Sequence, residues 1–552
     1  MKLFKVLPPL ALALSLTTLS AQAQHGQQTE FSRQDTLRGS ITPERAWWDL
    51  TYYHLDVKVN PADSTIKGSN TVQYKVLQPN QRMQLDLQPP MAIEKVTQNE
   101  KPLQFNRDGN VYYIQLEEKQ TPGAVNSIKV FYGGKPVVST NPPWTGGMTW
   151  QRDANGNPFA ANSNQGDGAS IWWPNKDHMY DEVDSMKISV TVPEKLMDVS
   201  NGRLLSVDQN NDGTKTFHWF VSNPINNYGV NVNIGDYVHF GEKYQGEKGQ
   251  LDCDYYVLSY NLDKAKKQFK DVPKMLKAFE HWFGPYPFYE DSYKLVEAPY
   301  LGMEHQSSVT YGNGYQNGYR GYDLSGTGWG LKFDYIIIHE SGHEWFANNI
   351  TYKDAADMWI HEAFTTYSEN IFLDYHYGKK AASEYVIGQR GNIENDIPII
   401  GKYDVNNTGS GDMYFKGANT LHTLRQIVND DEKWRSILRG MNKDFYHQTV
   451  TTKQIEDYLS QHVGRDLSSF FDQYLRDVRV PKLEYQLVGK NLKYRWTNTV
   501  DNFNMPVKVT IDGKEEWLEP TNSWQQLKGL KKNAKVKVDP NFYIESAQAT
   551  AS

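Results

Sequence analysis

Two histidines four residues apart lie near the middle of the chain, in the sequence His339-Glu340-Ser341-Gly342-His343. On a helix, residues with this spacing lie on one face about one turn apart, so both imidazoles can reach the same metal ion. Zinc accepts imidazole nitrogens and carboxylate oxygens in a tetrahedral site. Glu340 lies one step around the helix, where its carboxylate can accept a proton from a water molecule at the metal. The motif therefore predicts a catalytic zinc site.

The residues before this motif predict that it lies on a buried helix. Phe333 and the three isoleucines at 336–338 lead directly into His339, and the apolar pattern indicates a helix over residues 331–348. A buried helix with two histidines and a glutamate that lacked partners would be costly, because buried polar groups need hydrogen bonds or a metal. A surface helix with two incidental histidines is therefore the weaker interpretation.

A third metal ligand is expected from a second helix, predicted over residues 359–377. Glu362 follows His343 after eighteen residues, enough for a helix end, a turn and the start of an antiparallel helix. His361 is the competing ligand, but adjacent residues on a helix point about 100° apart, so both cannot bind easily. Glu369 lies two turns beyond Glu362, where its carboxylate can hold the far nitrogen of a ligand histidine. The predicted ligands of one Zn2+ per chain are His339, His343 and Glu362.

The elements that must position this site indicate a multidomain α+β protein. Apolar residues alternate at period two on both sides of a helix-rich middle third. This pattern predicts an N-terminal antiparallel β-domain, a mainly α-helical catalytic domain and a small C-terminal β-sandwich. Further helices are expected over residues 263–283 and 417–428, and another begins at the capping box Thr451-x-x-Gln454. The predicted segments are a signal peptide at 1–23, a flexible leader at 24–43, the β-domain at 44–245, the catalytic domain at 246–480 and the C-terminal module at 481–552.

Charge and cysteine content narrow the function classes. A formal net charge of −7 over 552 residues argues against nucleic acid as the main partner, because phosphate binding requires a basic face. Cys253 is the single cysteine, so the chain forms no intramolecular disulfide bond. Its acidic neighbours, Asp252 and Asp254, disfavour a thiolate, so a structural role is expected.

The N-terminal residues predict export. Two lysines precede an apolar run at residues 7–19, and Ala21-Gln22-Ala23 fits a signal peptidase site with cleavage after Ala23. We therefore expect a secreted or periplasmic protein. No later stretch reaches the ~20 apolar residues that a membrane-spanning helix needs.

These motifs resemble the aminopeptidase N family of gluzincin peptidases, which includes the leukotriene hydrolases, and the resemblance covers nearly all of the mature chain. The family signature Gly-x-Met-Glu-Asn corresponds to Leu301-Gly302-Met303-Glu304-His305, some thirty-five residues before the metal helix. The resemblance implies a thermolysin-like catalytic domain, bound zinc, and hydrolysis of peptides with a free N-terminus. It also implies that Glu304 binds the substrate α-ammonium beside Gly302 and Met303, and charge complementarity agrees.

Two more residues gain a role from the resemblance. Tyr414 is followed by Phe-Lys-Gly-Ala, which is similar to the family's Tyr-Glu-Lys-Gly-Ala segment, and its hydroxyl is expected to bind the oxyanion of the tetrahedral intermediate. Gln165 precedes a Trp-Trp-Pro-Asn-Lys-Asp stretch, in the place of a residue that lines the first specificity pocket. Leu301 and His305 depart from the signature, and we expect them to affect fine specificity.

Three alternative functions fit some of the same residues. A thermolysin-type endopeptidase also uses this histidine motif with a later glutamate, and Glu304 is the residue that discriminates between it and an aminopeptidase. An inactive peptide-binding paralogue would be expected to lack Glu340 or a ligand, and the chain retains them all. Epoxide hydrolysis, known for some members of the family, is neither indicated nor excluded by the sequence.

Overall fold

The computed structural model describes residues 30–549. The predicted signal peptide and its cleavage site lie outside the described residues. Two short helices open the described chain, α1 (Arg33–Gly39) and α2 (Pro43–Ala46). The structure differs here from the flexible leader expected up to residue 43, because Ser32 and Asp35 form a capping box that starts α1.

The N-terminal domain is built almost entirely from strands. Its fifteen strands are β1 (Trp48–Asn60), β2 (Thr65–Val76), β3 (Arg82–Asp86), β4 (Ala92–Gln98), β5 (Lys101–Pro102), β6 (Gln104–Asp108), β7 (Val111–Gln115), β8 (Val125–Gly134), β9 (Gly147–Arg152), β10 (Pro158–Ser163), β11 (Ser185–Pro193), β12 (Met197–Val199), β13 (Arg203–Gln209), β14 (Thr214–Val221) and β15 (Asn233–Gly235). They form an eight-stranded sheet in the order β13-β14-β11-β1-β2-β8-β4-β5, a four-stranded sheet β12-β15-β10-β9 and a three-stranded sheet β3-β7-β6. Pairing is antiparallel except between β1 and β11. The predicted β-domain is therefore confirmed as mostly antiparallel.

The catalytic domain begins with a five-stranded sheet in the order β16-β17-β18-β20-β19. Its strands are β16 (Tyr237–Gly246), β17 (Gly249–Leu258), β18 (Tyr293–Glu297), β19 (Gly302–Met303) and β20 (Val309–Tyr311). Since β16 pairs with β17 along its whole length, the hairpin belongs to the catalytic domain. The predicted boundary at residue 245 is therefore too late, because it cuts this hairpin.

Nine helices of the described chain pack against this sheet and each other. They are α3 (Leu262–Gln268), α4 (Asp271–Phe283), α5 (Tyr335–Gly342), α6 (Trp359–Tyr377), α7 (Lys379–Gly388), α8 (Phe415–Val428), α9 (Asp431–Asp444), α10 (Thr452–Val463) and α11 (Ser468–Leu475), with the strand pair β21 (Ile350–Tyr352) and β22 (Gln448–Val450) between them. The helix α6 has the predicted bounds, and α10 starts from the predicted capping box at Thr451.

Two predicted helices are shorter than expected. The helix predicted over 263–283 is divided into α3 and α4, because Pro273 is tolerated only in the first turn of α4. The helix predicted over 331–348 is regular only in α5, and it continues as an irregular wide turn, Glu344–Asn349. Phe346 has non-helical φ/ψ angles there.

The C-terminal module has two facing sheets, as predicted. Its strands are β23 (Lys482–Val488), β24 (Asn491–Thr497), β25 (Val507–Ile511), β26 (Lys514–Leu518), β27 (Gln525–Leu527), β28 (Val536–Val538) and β29 (Glu545–Gln548). The sheets have the orders β27-β24-β23-β29 and β26-β25-β28. One apolar core runs from the catalytic domain into this module, and a second fills the N-terminal domain. Among residues 30–549, no helix has the length and apolar character needed to cross a bilayer.

Candidate zinc site and substrate cleft

The helix α5 presents the histidine motif at its C-terminal end. Asp334 caps the other end, where its carboxylate accepts hydrogen bonds from Ile336 N at 3.1 Å and Ile337 N at 3.4 Å. His339 and Glu340 lie in the last turn, and His343 is the C-cap residue. The motif is buried, as predicted, so its polar groups depend on partners within the protein.

The three predicted ligands converge on one point. Glu362 Oε2 lies 3.4 Å from His343 Nε2 and 3.7 Å from His339 Nε2. Metal–ligand bonds of about 2.1 Å in a tetrahedral zinc site put the ligand atoms about 3.4 Å apart. Glu362 Oε2 is buried and has no hydrogen-bond partner, as expected of an oxygen that binds a cation. The donor set and its spacing therefore fit Zn2+.

Hydrogen bonds to the far ring nitrogens orient both histidines. His339 Nδ1 lies 2.8 Å from Glu369 Oε1, the partner predicted for it. His343 Nδ1 lies 3.0 Å from the carbonyl oxygen of Phe346 and 3.0 Å from Thr365 Oγ1. The wide turn after α5, in which Phe346 has non-helical angles, places this carbonyl beside the His343 ring. Both Nε2 atoms are left to face Glu362.

His361, the competing ligand, points away from this group. Its Nε2 accepts a hydrogen bond from the backbone N–H of Tyr352 at 2.9 Å. Burial holds the pKa of His361 well below its usual value, so the ring stays neutral. Of the two neighbours, Glu362 is therefore the one whose side chain faces His339 and His343.

Glu340 lies beside the predicted zinc ligands, among buried groups. Oxygen atoms of Glu340 and Glu304 and a ring nitrogen of His343 all lie within 4.8 Å of one another. Burial, reinforced by the Glu304 carboxylate, raises the pKa of Glu340 to about 7. A carboxylate with this pKa can both accept and return a proton near neutral pH.

Gly302 explains why the signature strand β19 lies so close to α5. A Cβ atom on Gly302 would lie 2.6 Å from Ile336 Cγ2 and 3.2 Å from the Glu340 side chain. Any larger residue would push the strand away from the zinc-binding helix. The strand therefore brings Met303 and Glu304 next to Glu340.

Glu304 marks a polar end of the cleft at which the two large domains meet. Its Oε1 accepts hydrogen bonds from Gln165 Nε2 at 2.6 Å and from the Tyr228 hydroxyl at 3.2 Å. Gln165 Nε2 also lies 3.3 Å from Glu362 Oε1, so this side chain links both carboxylates. Asn348 Nδ2 donates to the Glu304 carbonyl oxygen at 2.9 Å. Burial raises the pKa of Glu304, and a cationic partner would offset that effect.

A small apolar cluster lies beside Glu304, between the two domains. It contains Met303 and Tyr300 from the catalytic domain and Ala161 and Tyr228 from the β-domain. Leu301, the first departure from the family signature, packs instead into the main catalytic core. His305, the second departure, is fully buried, and its Nε2 atom has no partner. Leu301 therefore does not line this cluster.

Tyr414 lies next to the predicted zinc ligand His339. It precedes α8, and its ring lies 6.1 Å from the His339 ring, nearly parallel to it. Burial and the carboxylates of Glu362 and Glu304 raise the pKa of Tyr414 well above its usual value. The phenol therefore keeps its proton and can donate a hydrogen bond.

Several residues of the site carry no signal in the sequence. Tyr385 and Gln389 donate to Glu369 Oε2 at 2.6 Å and 3.1 Å, and so hold the carboxylate that orients His339. Tyr228 comes from a short 3-10 helix of the β-domain, Asn227–Gly229. The helix that carries Tyr385 has no sharp apolar periodicity, and nothing in the sequence connects Tyr228 with Glu304. Only tertiary packing brings these residues to the site.

The fold and the site define a zinc metallopeptidase domain. Residues 268–474, which include most of the catalytic domain, match the family model of the Peptidase family M1 domain. This confirms the family that the sequence motifs resemble.

Relatives with known names cover parts of the chain. A probable aminopeptidase 1 of Sulfurisphaera tokodaii is 21% identical over 360 residues, which are 60% of this chain and 44% of that protein. A leukotriene A-4 hydrolase of Xenopus laevis is 23% identical over 49% of this chain and 44% of its own. This chain thus spans less than half the length of the curated relatives it matches.

A solved structure shares the fold. The M1 zinc metallopeptidase of Deinococcus radiodurans, bound to a Tyr-Ser-Ala substrate, superposes with a TM-score of 0.67 at 20% identity. The match covers 78% of this chain and 95% of that one. The fold over about four fifths of this chain is therefore one that a solved M1 peptidase shares.

Proposed function

We propose that the protein is a zinc aminopeptidase that removes N-terminal residues from peptides. One observation carries the proposal beyond the family: a buried carboxylate, Glu304, lies beside the predicted zinc ligands and is hydrogen-bonded by Gln165 and Tyr228. A fixed carboxylate at this place pairs with the α-ammonium of a peptide and so selects chain ends. The name of the Sulfurisphaera relative supports the same activity.

The site residues divide the chemistry among them. His339, His343 and Glu362 would hold zinc, which when bound supplies a Lewis acid for the scissile carbonyl and for water. Glu340 accepts a proton from the attacking water and returns it to the leaving amine. The Tyr414 hydroxyl donates a hydrogen bond to the developing oxyanion. Glu304, with Gln165, holds the substrate ammonium and fixes the peptide in register.

A panel of aminoacyl-coumarin substrates, assayed with and without a chelator, tests the activity and its metal dependence together. Glu340→Gln is expected to keep bound zinc and to lose at least about a thousandfold in kcat, since it removes the proton acceptor. Glu384→Gln, on the surface of α7, is the matched control and should leave kcat unchanged. Retained activity in Glu340→Gln would refute the assignment of the base.

The endopeptidase alternative is tested with the N-terminus of the substrate. Peptides with free and acetylated N-termini should differ strongly in rate, because an acetylated amine has no charge to pair with Glu304. Equal cleavage of both would rule out the aminopeptidase. Export of the protein to the periplasm or the medium is a further proposal, supported by the N-terminal sequence, and fractionation of cells would test it.

A further inference from the structure

The segment that leads into the β-domain lies against the polar end of the cleft. Gly39, the last residue of α1, packs on the catalytic-domain loop that contains Val405 and Asn406. A Cβ atom on Gly39 would lie 2.2 Å from the backbone nitrogen of Asn406, so only glycine permits this contact. The helix α1 is thus docked where the two large domains meet.

Arg38, the neighbour of Gly39, reaches from α1 into the β-domain loop after β10. Its Nη2 donates to the carbonyl oxygen of Gly166 at 2.6 Å. The side chain is only 19% exposed and lies in a groove over Gly168, where an added Cβ would come within 2.5 Å of Nη2. Gly168 has a φ of +88°, a conformation that glycine adopts readily. The sequence therefore provides both the guanidinium of Arg38 and, through the glycine at position 168, the space that it occupies.

The same carbonyl oxygen is held from the catalytic domain. Asn406 Nδ2 donates to the Gly166 carbonyl at 3.1 Å, so one acceptor joins α1, the β-domain and the catalytic domain. Gly166 itself has a φ of +81° and directly follows Gln165. Gln165 is the side chain that bonds Glu304 at 2.6 Å. The two donors thus restrain a glycine-rich loop one residue away from a predicted substrate contact.

We propose that Arg38 is a positioning residue for the ammonium-binding end of the cleft. By fixing the Gly166 carbonyl together with Asn406, it holds Gln165 in contact with Glu304. The proposal rests on the proposed aminopeptidase function. A charged donor is suited to this role, because hydrogen bonds to charged groups are stronger than neutral ones. The N-terminal segment then determines how tightly the substrate N-terminus is bound.

A double-mutant cycle tests this coupling. Arg38→Ala and Gln165→Ala are each expected to raise the KM of an aminoacyl-coumarin by roughly tenfold, with zinc content unchanged. If Arg38 acts through Gln165, adding Arg38→Ala to Gln165→Ala should change KM less than about twofold. Arg38→Lys, which keeps a cationic donor, should restore part of the loss.

Arg33→Ala is the matched control, because Arg33 lies on the same helix and pairs with Asp108 at 2.6 Å on the surface. It should leave KM unchanged. Equal KM effects of Arg38→Ala in the wild-type and Gln165→Ala backgrounds would overturn the proposal, and so would a Gln165→Ala variant with normal KM.

Hydrogen exchange tests the restraint independently of activity. Amide exchange at residues 164–168 should be faster in Arg38→Ala than in the wild-type protein or in Arg33→Ala. Unchanged exchange in Arg38→Ala would overturn the positioning role even in an active enzyme. A wild-type protein that cleaves no aminoacyl substrate, with faster exchange in Arg38→Ala, would instead refute the aminopeptidase function while leaving the restraint in place.

Discussion

Glu369 is the residue that most directly determines how one predicted zinc ligand is oriented. Its Oε1 lies 2.8 Å from His339 Nδ1, and its Oε2 accepts hydrogen bonds from Tyr385 and Gln389. A carboxylate in this position fixes the tautomer of the histidine and makes its other nitrogen a better ligand. The hydrogen bond between Tyr385 and Glu369 thus links α7, which contributes no predicted ligand, to the metal site.

Glu369→Gln is expected to lower zinc affinity by roughly 10–100-fold while leaving the fold intact. The amide keeps the size of the side chain but loses its charge, so the imidazole becomes a weaker donor to the metal. Competition with a fluorescent chelator measures the affinity. Glu384→Gln, exposed on α7, serves as the control, and equal zinc affinity in both variants would contradict the role.

Asp198 is a second residue with an unusual environment, in the strand β12 of the β-domain. Its carboxyl is fully buried, Oδ2 accepts a hydrogen bond from Trp219 Nε1 at 3.0 Å, and Oδ1 has no partner. Burial holds the pKa of Asp198 well above its usual value. The folded protein therefore binds this proton more tightly than the unfolded chain does.

The pH dependence of stability follows from that difference. An unfolded aspartate titrates with a pKa of about 3.9, so raising the pH above this value deprotonates the unfolded state first and reduces the free energy of unfolding. Asp198→Asn removes this loss. The urea midpoint of the variant minus that of the wild type should therefore be larger at pH 8 than at pH 5. The urea midpoint of Asp263→Asn, a change on the surface of α3, should differ from that of the wild type by the same amount at both pH values. A constant difference for Asp198→Asn would show that the carboxyl is charged when folded.

At the scale of elements, the contact between α6 and α8 sets the distance between a zinc ligand and the predicted oxyanion donor. A Cβ atom on Gly417, near the start of α8, would lie 2.6 Å from Ala363 Cβ on α6. Ala363 follows Glu362, and Tyr414 immediately precedes α8. Close helix packing at this glycine therefore places Glu362 and Tyr414 on the same site.

Gly417→Ala is expected to separate the two helices and to destabilise the protein by about 1–3 kcal/mol, the usual cost of overpacking. Activity should fall as well, because Tyr414 moves relative to Glu362. Thermal unfolding and kcat provide the measurements. Gly391→Ala is the matched control, since an added methyl there meets no atom within 4 Å. An unchanged melting temperature in Gly417→Ala would show that the helices can adjust.

At the scale of the whole molecule, the β-domain supports the loop that follows Glu304. Asn201 is fully buried, and its Nδ2 donates to the carbonyl oxygens of Gly229 and Gln306, both at 2.7 Å. One side chain thus connects the loop beside Tyr228 with the loop beside Glu304. The cleft is formed by both domains, and neither one alone carries all its predicted substrate contacts.

Asn201→Ala is expected to destabilise the protein by roughly 1–3 kcal/mol, because two buried carbonyls lose a donor. It should also raise KM more than it lowers zinc content, since the ligands lie on other elements. Asn210→Ala, in the hairpin between β13 and β14, removes hydrogen bonds to Thr214 and Thr216 and serves as the control. A normal KM in Asn201→Ala would show that the loop holds its position without this side chain.

Much of the fold is predictable from the sequence where the pattern is local. Helix periodicity gives the bounds of α6, and capping chemistry gives the start of α10, because both depend on residues a few positions apart. The division of α3 from α4, the helix α1 and the assignment of β16 to the catalytic sheet are not predicted. The capping box of α1 and Pro273 in the first turn of α4 are local signals that apolar periodicity does not show, whereas the sheet that β16 joins is decided by strand pairing.

The sequence by itself determined the class of the site. The spacing of His339, Glu340 and His343 predicts that they share one helix, so their relative orientation is a local property. The choice of Glu362 over His361, and the contact of Gln165 with Glu304, needed the tertiary structure. Gln165 and Glu304 are separated by 139 residues and lie in different domains, so only domain packing brings them within hydrogen-bond distance.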